Sequence, residues 1–248
     1  MTRDEIVRLE EMNFNAWPAL RTMHYDGWVL RSTGGDSRRV NSVNPMTPGG
    51  IALTEKIATA EAIYARWGRD AVFRLTPLAD AGLDAMLSER GYVIEAPTFV
   101  QVADVAAGPV PSGLQIFPTP NDAWIGAAAG IRGLTGAAAE VFAAQHRAVG
   151  IEAGWALVVD GGRPAAVGVV AVERGWAGLL GIYVAKFARR RGLARQISQG
   201  LLAYSHVKGA TRAWLQVEQS NAPALPLYAA LGFRTAYAYH HRVRGDRA

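Results

Sequence analysis

The stretch that decides the fold is "VAKFARRRGLARQISQGLL", residues 184–202. It begins at the end of a mostly apolar segment, "WAGLLGIYVAK" (176–186), which predicts a strand buried on both faces. After three arginines, apolar residues recur at Leu193, Ile197 and Leu201, the spacing of one helix face. The sequence therefore predicts a buried strand, a short basic loop and a helix.

The loop at residues 189–194 has the features of an anion-binding site. Gly192 and Ala194 carry no bulky side chain, and the first N–H groups of a helix lack helical acceptors. These donors attract a phosphate, and the arginines at 189–191 add positive charge. The Gly-Lys-Ser/Thr sequence of a Walker loop is absent. A solvated basic surface is the alternative to a phosphate-binding loop.

A second motif follows at "NAPALPLYAALGF", residues 221–233. The first motif can be written V-x-x-x-x-R-x-x-G-x-A from Val184 to Ala194, and L-x-V-x-x-x-N then runs from Leu215 to Asn221. In this combination and order the segments resemble the GNAT superfamily of N-acetyltransferases. One departure is Lys186, where the family often has proline. It lies in the loop, so we expect little consequence.

The resemblance implies an α/β (mixed α+β) fold with two GNAT-like domains, each a central mixed β-sheet flanked by helices. Residues 105–113, within a segment rich in Pro, Gly and Ala, are expected to form a linker. Residues 1–104 would then form a degenerate GNAT-like domain and residues 114–248 the catalytic GNAT acetyltransferase domain. Both halves end in the same predicted order: a long helix, a strand, a short helix and a strand.

Hydrophobic spacing and turn residues predict the individual elements. In the first half these are a helix from Thr2 toward Trp17, strands at 26–33 and 38–46, a helix along Leu53–Trp67, a strand at 71–77, a helix at 82–92 and a strand at 96–105. In the second half they are a strand at 114–120, helices at 121–133 and 136–149, a hairpin turning at 160–163, then the decisive unit, a strand at 212–219, a helix at 221–233 and a strand at 234–244.

The first half lacks the phosphate loop. Residues 44–51, "NPMTPGGI", contain glycines but no R-x-x-G-x-A pattern. Residues 27–45 resemble the amino-terminal region of a subgroup of tandem bacterial GNAT proteins. The expectation is that this half shapes the acceptor site rather than binding a second cofactor.

The resemblance implies acetyl-coenzyme A as the donor. Its pyrophosphate would sit on the N–H groups of residues 189–194, and its pantetheine arm would lie along the strand at 182–184. The implied cofactor-binding residues are Ile182, Tyr183, Val184, Arg189, Arg190, Arg191, Gly192, Leu193, Ala194, Asn221 and Tyr228. The implied reaction is direct attack of a primary amine on the thioester carbonyl in a ternary complex, which needs oxyanion donors and an acid for the thiolate. A backbone N–H near Val184 is the expected oxyanion donor.

Tyr228 and Glu218 are the expected catalytic residues. A phenol, with a pKa near 10, is suited to protonate a departing thiolate, and an aromatic anchor between helix and sheet is the alternative role of Tyr228. The base that takes the amine proton is Glu218 or Glu173, or the proton leaves through water. Asn221 either caps the helix after it, with Ser220 as a rival cap, or binds pantetheine.

Composition excludes several other classes. There are no cysteines, which excludes disulfides, thiolate zinc sites and cysteine nucleophiles. His240 and His241 are adjacent on a predicted strand and point to opposite faces, so no metal is expected. No apolar run reaches the roughly 20 residues that cross a bilayer, and the charged N-terminus lacks a signal-peptide core, so a cytoplasmic protein without a membrane partner is expected.

The partner is expected to be a small-molecule or peptide amine. The net charge of +5 permits an anionic ligand, but a nucleic-acid-binding module ranks low because the arginines outside 189–195 are scattered. A GNAT-shaped protein that binds an acyl-CoA without catalysis is the nearer alternative. A homodimer stays open as the assembly.

Overall fold

The computed structural model describes residues 1–35 and 37–245. Asp36, inside the stretch 27–45 compared above, and the last three residues of the predicted second domain lie outside the described residues. The elements of the first half are α1 (Arg3–Ala16), β1 (Arg21–Tyr25), β2 (Trp28–Ser32), β3 (Val43–Pro45), α2 (Leu53–Arg66), β4 (Phe73–Leu75), α3 (Leu83–Glu89) and β5 (Tyr92–Asp104). Those of the second half are β6 (Leu114–Phe117), α4 (Asp122–Arg132), α5 (Gly136–Arg147), β7 (Glu152–Asp160), β8 (Arg163–Glu173), β9 (Trp176–Val184), α6 (Leu193–Val207), β10 (Arg212–Glu218), α7 (Ala224–Ala229) and β11 (Arg234–Arg244).

Helix α1 begins where its capping signal predicts. The Glu5 N–H donates to Thr2 Oγ1 at 3.2 Å, and the Thr2 N–H donates to Glu5 Oε2 at 2.8 Å. This reciprocal pair satisfies two backbone donors that no helical carbonyl can reach. The apolar stripe of α1 then buries Leu9 and Met12 against the sheet.

All eleven strands of the described residues form one mixed sheet in the order β1-β2-β3-β4-β11-β5-β10-β9-β8-β7-β6. The last strand, β11, lies between β4 and β5 of the first half and is antiparallel to both. In turn β5 lies between β10 and β11 of the second half. Each half thus contributes a strand to the other, and backbone hydrogen bonds join them through the centre of the molecule.

Helices cover both faces of this sheet. On one face α1 and α4 pack on alternate residues of β8, such as Val167 and Val169, and α5 packs on α4. On the opposite face α6 packs on the residues between them, such as Ala166 and Val170, and α7 joins the same apolar cluster. Helices α2 and α3 cover the first half of the sheet with a separate apolar cluster. We call the two faces of the second half the α4 face and the α6 face.

Most predicted elements are present, and the differences have physical causes. Strand β1 was not predicted, although Asp26-Gly27 is a two-residue hairpin turn with φ of 43° and 82°, the pattern of a type I′ turn. The predicted strand at 38–46 begins instead as a 3₁₀ turn and is extended only over Val43–Pro45. The predicted double-sided burial of β9 is wrong after Leu180, because its neighbour β10 diverges there.

Candidate active site

The site begins where strands β9 and β10 separate. These parallel strands pair from Trp176 with Arg212 as far as Leu179 with Leu215, and no further. At Gly181, φ is +56° and the register of β9 against β8 shifts by one residue, which is a β-bulge. A bulge bends its strand, and glycine adopts a positive φ without strain. The bend leaves a gap between the end of β9 and the end of β10.

The gap is lined by backbone groups without a strand partner. The Ala185 N–H donates to Ala165 O at 2.8 Å, so this antiparallel pair is a hydrogen-bonded one. Because hydrogen-bonded and non-hydrogen-bonded pairs alternate, the N–H of Val184, opposite Ala166, points away from β8 and toward the gap. Val184 therefore presents a free backbone donor on the side where β10 has left the sheet.

A cavity of about 300 Å³ occupies the gap. It reaches both faces of the sheet, because side chains alternate along the two strands. Its lining consists of Trp17, Ser37, Arg39, Arg132, Leu179, Leu180, Gly181, Ile182, Tyr183, Gln216, Val217, Glu218, Asn221 and Tyr228. The lining therefore includes five of the residues predicted from the sequence, namely Ile182, Tyr183, Glu218, Asn221 and Tyr228.

The basic loop lies directly after the strand that lines the cavity. Within the described residues, the first helical hydrogen bond of α6 runs from the Gln196 N–H to Gly192 O at 3.0 Å. The N–H groups of Leu193, Ala194 and Arg195 therefore have no helical acceptor. Gly192 holds φ at +79°, which turns the chain into the helix and suits glycine.

The three arginines of the loop differ in their contacts. Arg191 pairs with Asp160 in the β7–β8 turn at 2.6 Å, and Arg189 Nε donates to Val184 O at 3.4 Å. Arg190 is exposed and adopts φ of +60°, which is uncommon for a residue with a side chain. Two of the three thus fasten the loop to its surroundings, while Arg190 extends into solvent.

Tyr228 lies on the α6 face of the gap and is partly buried. Its ring packs on Phe233 at a centroid distance of 5.9 Å. Burial raises the pKa of the Tyr228 phenol above its ordinary value, and the charge of Arg39 opposes part of that shift. The phenol is thus neutral, and able to donate a proton, at neutral pH. Packing anchor and proton donor are compatible roles for this side chain.

Asn221 does not cap the helix that follows it. Helix α7 begins after Pro223, and neither Asn221 nor its rival Ser220 makes a side-chain cap bond there. Instead the backbone carbonyl of Asn221 accepts from the N–H groups of Ala224 and Leu225 at 3.0 and 3.3 Å. Backbone geometry closes this turn, which leaves the Asn221 side chain at the cavity.

The two candidate bases, Glu218 and Glu173, lie near opposite ends of the central parallel strands β9 and β10. Glu218 is exposed at the end of β10 and shares the α4 face with Gln216 and Trp214 because strand side chains alternate. Glu173 lies at the opposite end of β9, where Asn15 Nδ2 donates to both of its carboxylate oxygens at 3.1 and 3.0 Å and Arg174 pairs with it. Glu218 is the base candidate that lines the cavity.

Similarity to known proteins agrees with this geometry. The family described as "Probable histone acetyltransferase Rv0428c C-terminal" matches residues 3–245, almost the whole chain. The chain belongs to the GNAT superfamily of N-acetyltransferases. It is 24% identical over 247 residues to "Uncharacterized N-acetyltransferase YobR" of Bacillus subtilis, covering 97% of this chain and 99% of that protein. These relatives identify it as an N-acetyltransferase.

Shorter and structural similarities point the same way. The "[Ribosomal protein bS18]-alanine N-acetyltransferase" of Salmonella typhimurium is 38% identical over 74 residues, which is 30% of this chain and 50% of that enzyme. A GCN5-related N-acetyltransferase from Kribbella flavida shares the fold with a TM-score of 0.67, at 20% identity over 95% of this chain and 94% of that one. A tandem GNAT protein from the clavulanic acid biosynthesis pathway has a TM-score of 0.60, at 17% identity over 94% and 86% of the two chains.

Sequence reasoning missed nine of the residues that line this GNAT site, and four of them lie outside strands β9 and β10. Trp17, Ser37 and Arg39 come from the first half, and Arg132 ends α4. No local signal marks the first three, because only the shared sheet brings the end of α1 and the segment before β3 to the gap between β9 and β10. Arg132 resembles any basic residue that ends a helix, where a positive charge is favourable.

A buried arginine holds the first-half residues in place. The Arg31 side chain is 1% exposed and donates to the carbonyl oxygens of Trp17, Phe14 (3.4 Å) and Arg39 (3.0 Å). Five donors in a fixed fork suit a guanidinium to join three backbone segments. Through Arg31 the end of α1 and the turn that carries Arg39 reach the cavity as one unit.

The described residues contain no helix long and apolar enough to cross a membrane. They also contain no group of three or more histidine and carboxylate side chains placed to hold a metal ion.

Proposed function

We propose that this GNAT protein transfers an acetyl group from acetyl-CoA to a primary amine by direct attack in a ternary complex. The proposal rests on one observation: the anion-binding loop follows the strand that lines the cavity. The free N–H groups at the start of α6 follow closely on β9, whose Ile182 and Tyr183 line an open cavity and whose Val184 N–H points to the same side, away from β8. A long anionic thioester fits such a path, with phosphates at the helix and its carbonyl at the gap.

The residues present fit this donor. When bound, acetyl-CoA supplies an acetyl group activated by a good leaving group. The N–H groups of Leu193 and Ala194 would hold its pyrophosphate, with Arg190 adding charge at the mouth. Ile182 and Tyr183 would flank the pantetheine arm, and Asn221 would donate to it from the other side. No carboxylate of the described residues accepts from the α6 donors, so they remain available to phosphate.

The chemical roles divide between the two faces of the sheet. On the α4 face, Glu218 takes the proton that the amine must lose, since an alkyl ammonium with a pKa near 10.4 is not nucleophilic. In the gap, the Val184 N–H donates to the carbonyl oxygen as that oxygen gains negative charge. On the α6 face, Tyr228 protonates the departing thiolate. Each proton taken from the amine is thus matched by one given to the leaving sulfur.

A thiol-release assay tests this function against the alternative of a non-catalytic acyl-CoA-binding protein. With acetyl-CoA and a panel of primary amines, free coenzyme A should appear only when protein and a suitable amine are both present. Binding of acetyl-CoA without release in any amine would support the non-catalytic alternative. No binding would overturn both.

The Tyr228→Phe variant tests the acid. It keeps the ring packed on Phe233 and removes only the hydroxyl, so acetyl-CoA affinity should stay within about twofold while kcat falls 10²- to 10⁴-fold, the usual range for a lost general acid. A variant of Phe233, Phe233→Leu, is the packing control and should affect stability more than kcat. Full turnover by Tyr228→Phe would remove the phenol from the mechanism.

A further inference from the structure

Two arginines line the cavity without a carboxylate partner. Arg39 comes from the first half and Arg132 from the end of α4. Among the described residues neither forms a salt bridge, and neither side chain donates a hydrogen bond to a protein acceptor. Both are only partly exposed. A partly buried guanidinium without an anion is unusual, because its desolvation is not compensated.

Other arginines of the molecule show the contrast. The exposed side chains of Arg38, Arg147, Arg174 and Arg191 each pair with a carboxylate of the chain. Among the described residues that line the cavity, Glu218 is the one carboxylate, and it pairs with neither arginine. Exposed arginines such as Arg8 and Arg195 also lack a carboxylate partner among the described residues, but they lie in solvent, whereas Arg39 and Arg132 are partly buried in the wall of the cavity.

Arg132 is held in a fixed position. Its guanidinium lies 4.9 Å from the ring centroid of Phe142 and 4.9 Å from that of Tyr183. Aromatic faces attract a guanidinium and restrict it without using its hydrogen-bond donors. Tyr183 is itself part of β9 in the gap, so the donors of Arg132 are kept at the edge of the cavity.

Arg39 is held by its backbone, through the Arg31 contact already described. Burial raises the pKa of Tyr228 and lowers that of His241; the charge of Arg39 opposes the first shift and adds to the second, which places the guanidinium within electrostatic reach of the gap. Two prepositioned cations from opposite halves thus face one small cavity. Prepositioning reduces the entropy lost when an anion binds.

We infer that the acceptor is a small primary amine that carries its own anionic group, a carboxylate or a phosphate, and that Arg39 and Arg132 bind this group while the amine faces Glu218. The inference rests on the proposed function. It follows from the unpaired charges and from the small cavity of about 300 Å³, which the acceptor would share with the thioester end of the donor. A lysine-rich peptide would bring positive charge to these arginines and is disfavoured.

Matched pairs of acceptors test the inference. We would compare β-alanine with its amide, and O-phosphoethanolamine with ethanolamine, measuring kcat/KM by thiol release. In each pair the members differ in charge but keep the primary amine. We expect at least one anionic member to exceed its neutral partner about tenfold or more, as charge-assisted hydrogen bonds to guanidinium imply. The pair that shows the larger ratio distinguishes a carboxylate acceptor from a phosphate acceptor.

Variants assign the preference to the arginines. Arg39→Gln and Arg132→Gln should each reduce the anionic preference about tenfold through acceptor KM, with acetyl-CoA affinity unchanged. Arg8→Gln is the matched control, because Arg8 is exposed on α1 and does not line the cavity. Equal kcat/KM within both pairs would overturn the inference. So would variants that weaken acetyl-CoA binding and leave the preference intact, since the arginines would then belong to the donor site.

A binding measurement keeps the inference separate from the proposed function. Calorimetry of the protein saturated with coenzyme A reports the Kd of each amine even where turnover is absent. Tighter binding of the anionic members, lost in Arg39→Gln and Arg132→Gln, would support the inference in a protein that fails to catalyse. Equal Kd values within each pair would overturn it while leaving acetyl transfer itself intact.

Discussion

The two halves of the molecule contain the same unit, a strand, a loop, a helix and a parallel strand. They differ in what binds the N–H groups of the loop. In the first half, β3 leads to α2, and the N–H groups of Gly50 and Ile51 both donate to the Asp26 carboxylate at 2.9 Å. These bonds lower the pKa of Asp26. Gly50 and Ile51 lie in the loop just before α2. In the second half, no carboxylate of the described residues accepts from the backbone N–H groups of the loop before α6 or from the first N–H groups of that helix. The first half thus satisfies the donors of its loop with its own side chain.

The gap between the parallel strands differs in the same way. Strands β3 and β4 share one pair of residues, Val43 with Phe73, before they separate. On the side of β4 that faces β11 lies a buried ion pair, Arg74 with Glu10 at 2.5 and 3.0 Å, and Tyr237 of β11 donates to the same Glu10 at 2.6 Å. The gap of the second half contains a cavity. The same strand–loop–helix–strand unit therefore forms a candidate site in one half and a structural element in the other. The difference lies in which backbone groups are left without partners.

The largest effect on stability is expected from breaking the buried ion pair of the first half. Arg74 and Glu10 are each about 1% exposed, so Arg74→Met leaves an unpaired buried carboxylate and should cost about 3–5 kcal/mol of unfolding free energy. The measurement is urea denaturation followed by tryptophan fluorescence. The double variant Arg74→Met/Glu10→Leu removes both charges and should recover a large part of the loss.

Folded Arg74→Met protein should bind acetyl-CoA as the parent does, because the pair supports the fold and does not line the cavity. Loss of acetyl-CoA binding at unchanged stability would show that the first-half gap is a site rather than a support.

The second-largest effect is expected when a carboxylate is introduced into the loop before α6, as the first half has one at the loop before α2. Gly192→Asp places a carboxylate beside the free N–H groups at the start of α6, much as the Asp26 carboxylate lies beside the N–H groups of the loop before α2. It should weaken acetyl-CoA binding at least a hundredfold, about 2.7 kcal/mol, by occupying the donors and repelling phosphate. A calorimetric titration measures the Kd.

Gly192→Asn is the matched control for this change. It has the same size and the same positive φ to adopt, and a Cβ at this position meets no atom within 4 Å. Asparagine also tolerates the left-handed region better than most residues. Its Kd should therefore stay close to that of the parent. Equal losses in both variants would mean that backbone strain, rather than charge, disrupts the loop.

The sequence predicted the parts of the site that are local. The order of strand, loop and helix at 176–202, and the motif that carries Asn221 and Tyr228, depend on spacing within one segment. Such features are visible in one chain because their partners are neighbours in sequence.

The remaining parts depend on contacts between distant segments. Arg39 and Trp17 reach the cavity only because β5 and β11 exchange places between the halves, and no periodicity records that exchange. Asp26 illustrates the same limit. Its sequence marks a hairpin turn, but only the approach of the loop before α2 turns its carboxylate into an internal anion.

A third, smaller effect is expected when that internal anion is removed. Asp26→Asn keeps the side-chain shape, loses the charge, and leaves the buried Lys56 with only Asp80 as a carboxylate partner at 3.8 Å. The Tm should fall, while the stoichiometry of acetyl-CoA stays at one per chain because the loop before α2 lacks the R-x-x-G-x-A pattern. A second bound acetyl-CoA would mean that the carboxylate alone keeps the first half from binding a donor.

The smallest effect is a pH dependence that comes from two buried histidines of the second half. Burial lowers the pKa of His146 in α5 to about 3, and burial also lowers the pKa of His241 in β11. The folded pKa lies below the unfolded value near 6.5, so the unfolded state binds the proton first as the pH falls. Stability is therefore complete above pH 6.5 and declines below it, by about 1.4 kcal/mol per histidine at pH 5.5.

Variants separate the two contributions to this decline. His146→Phe should remove about half of the loss of unfolding free energy between pH 7 and 5.5, measured by urea denaturation. His206→Phe, at an exposed position of α6, is the control and should keep the full decline. His146 accepts a hydrogen bond from Trp155 Nε1 at 3.2 Å, whereas both ring nitrogens of His241 lack a partner among the described residues. If His146→Phe leaves the decline unchanged, the proton is taken up elsewhere, and His146 does not limit stability in acid.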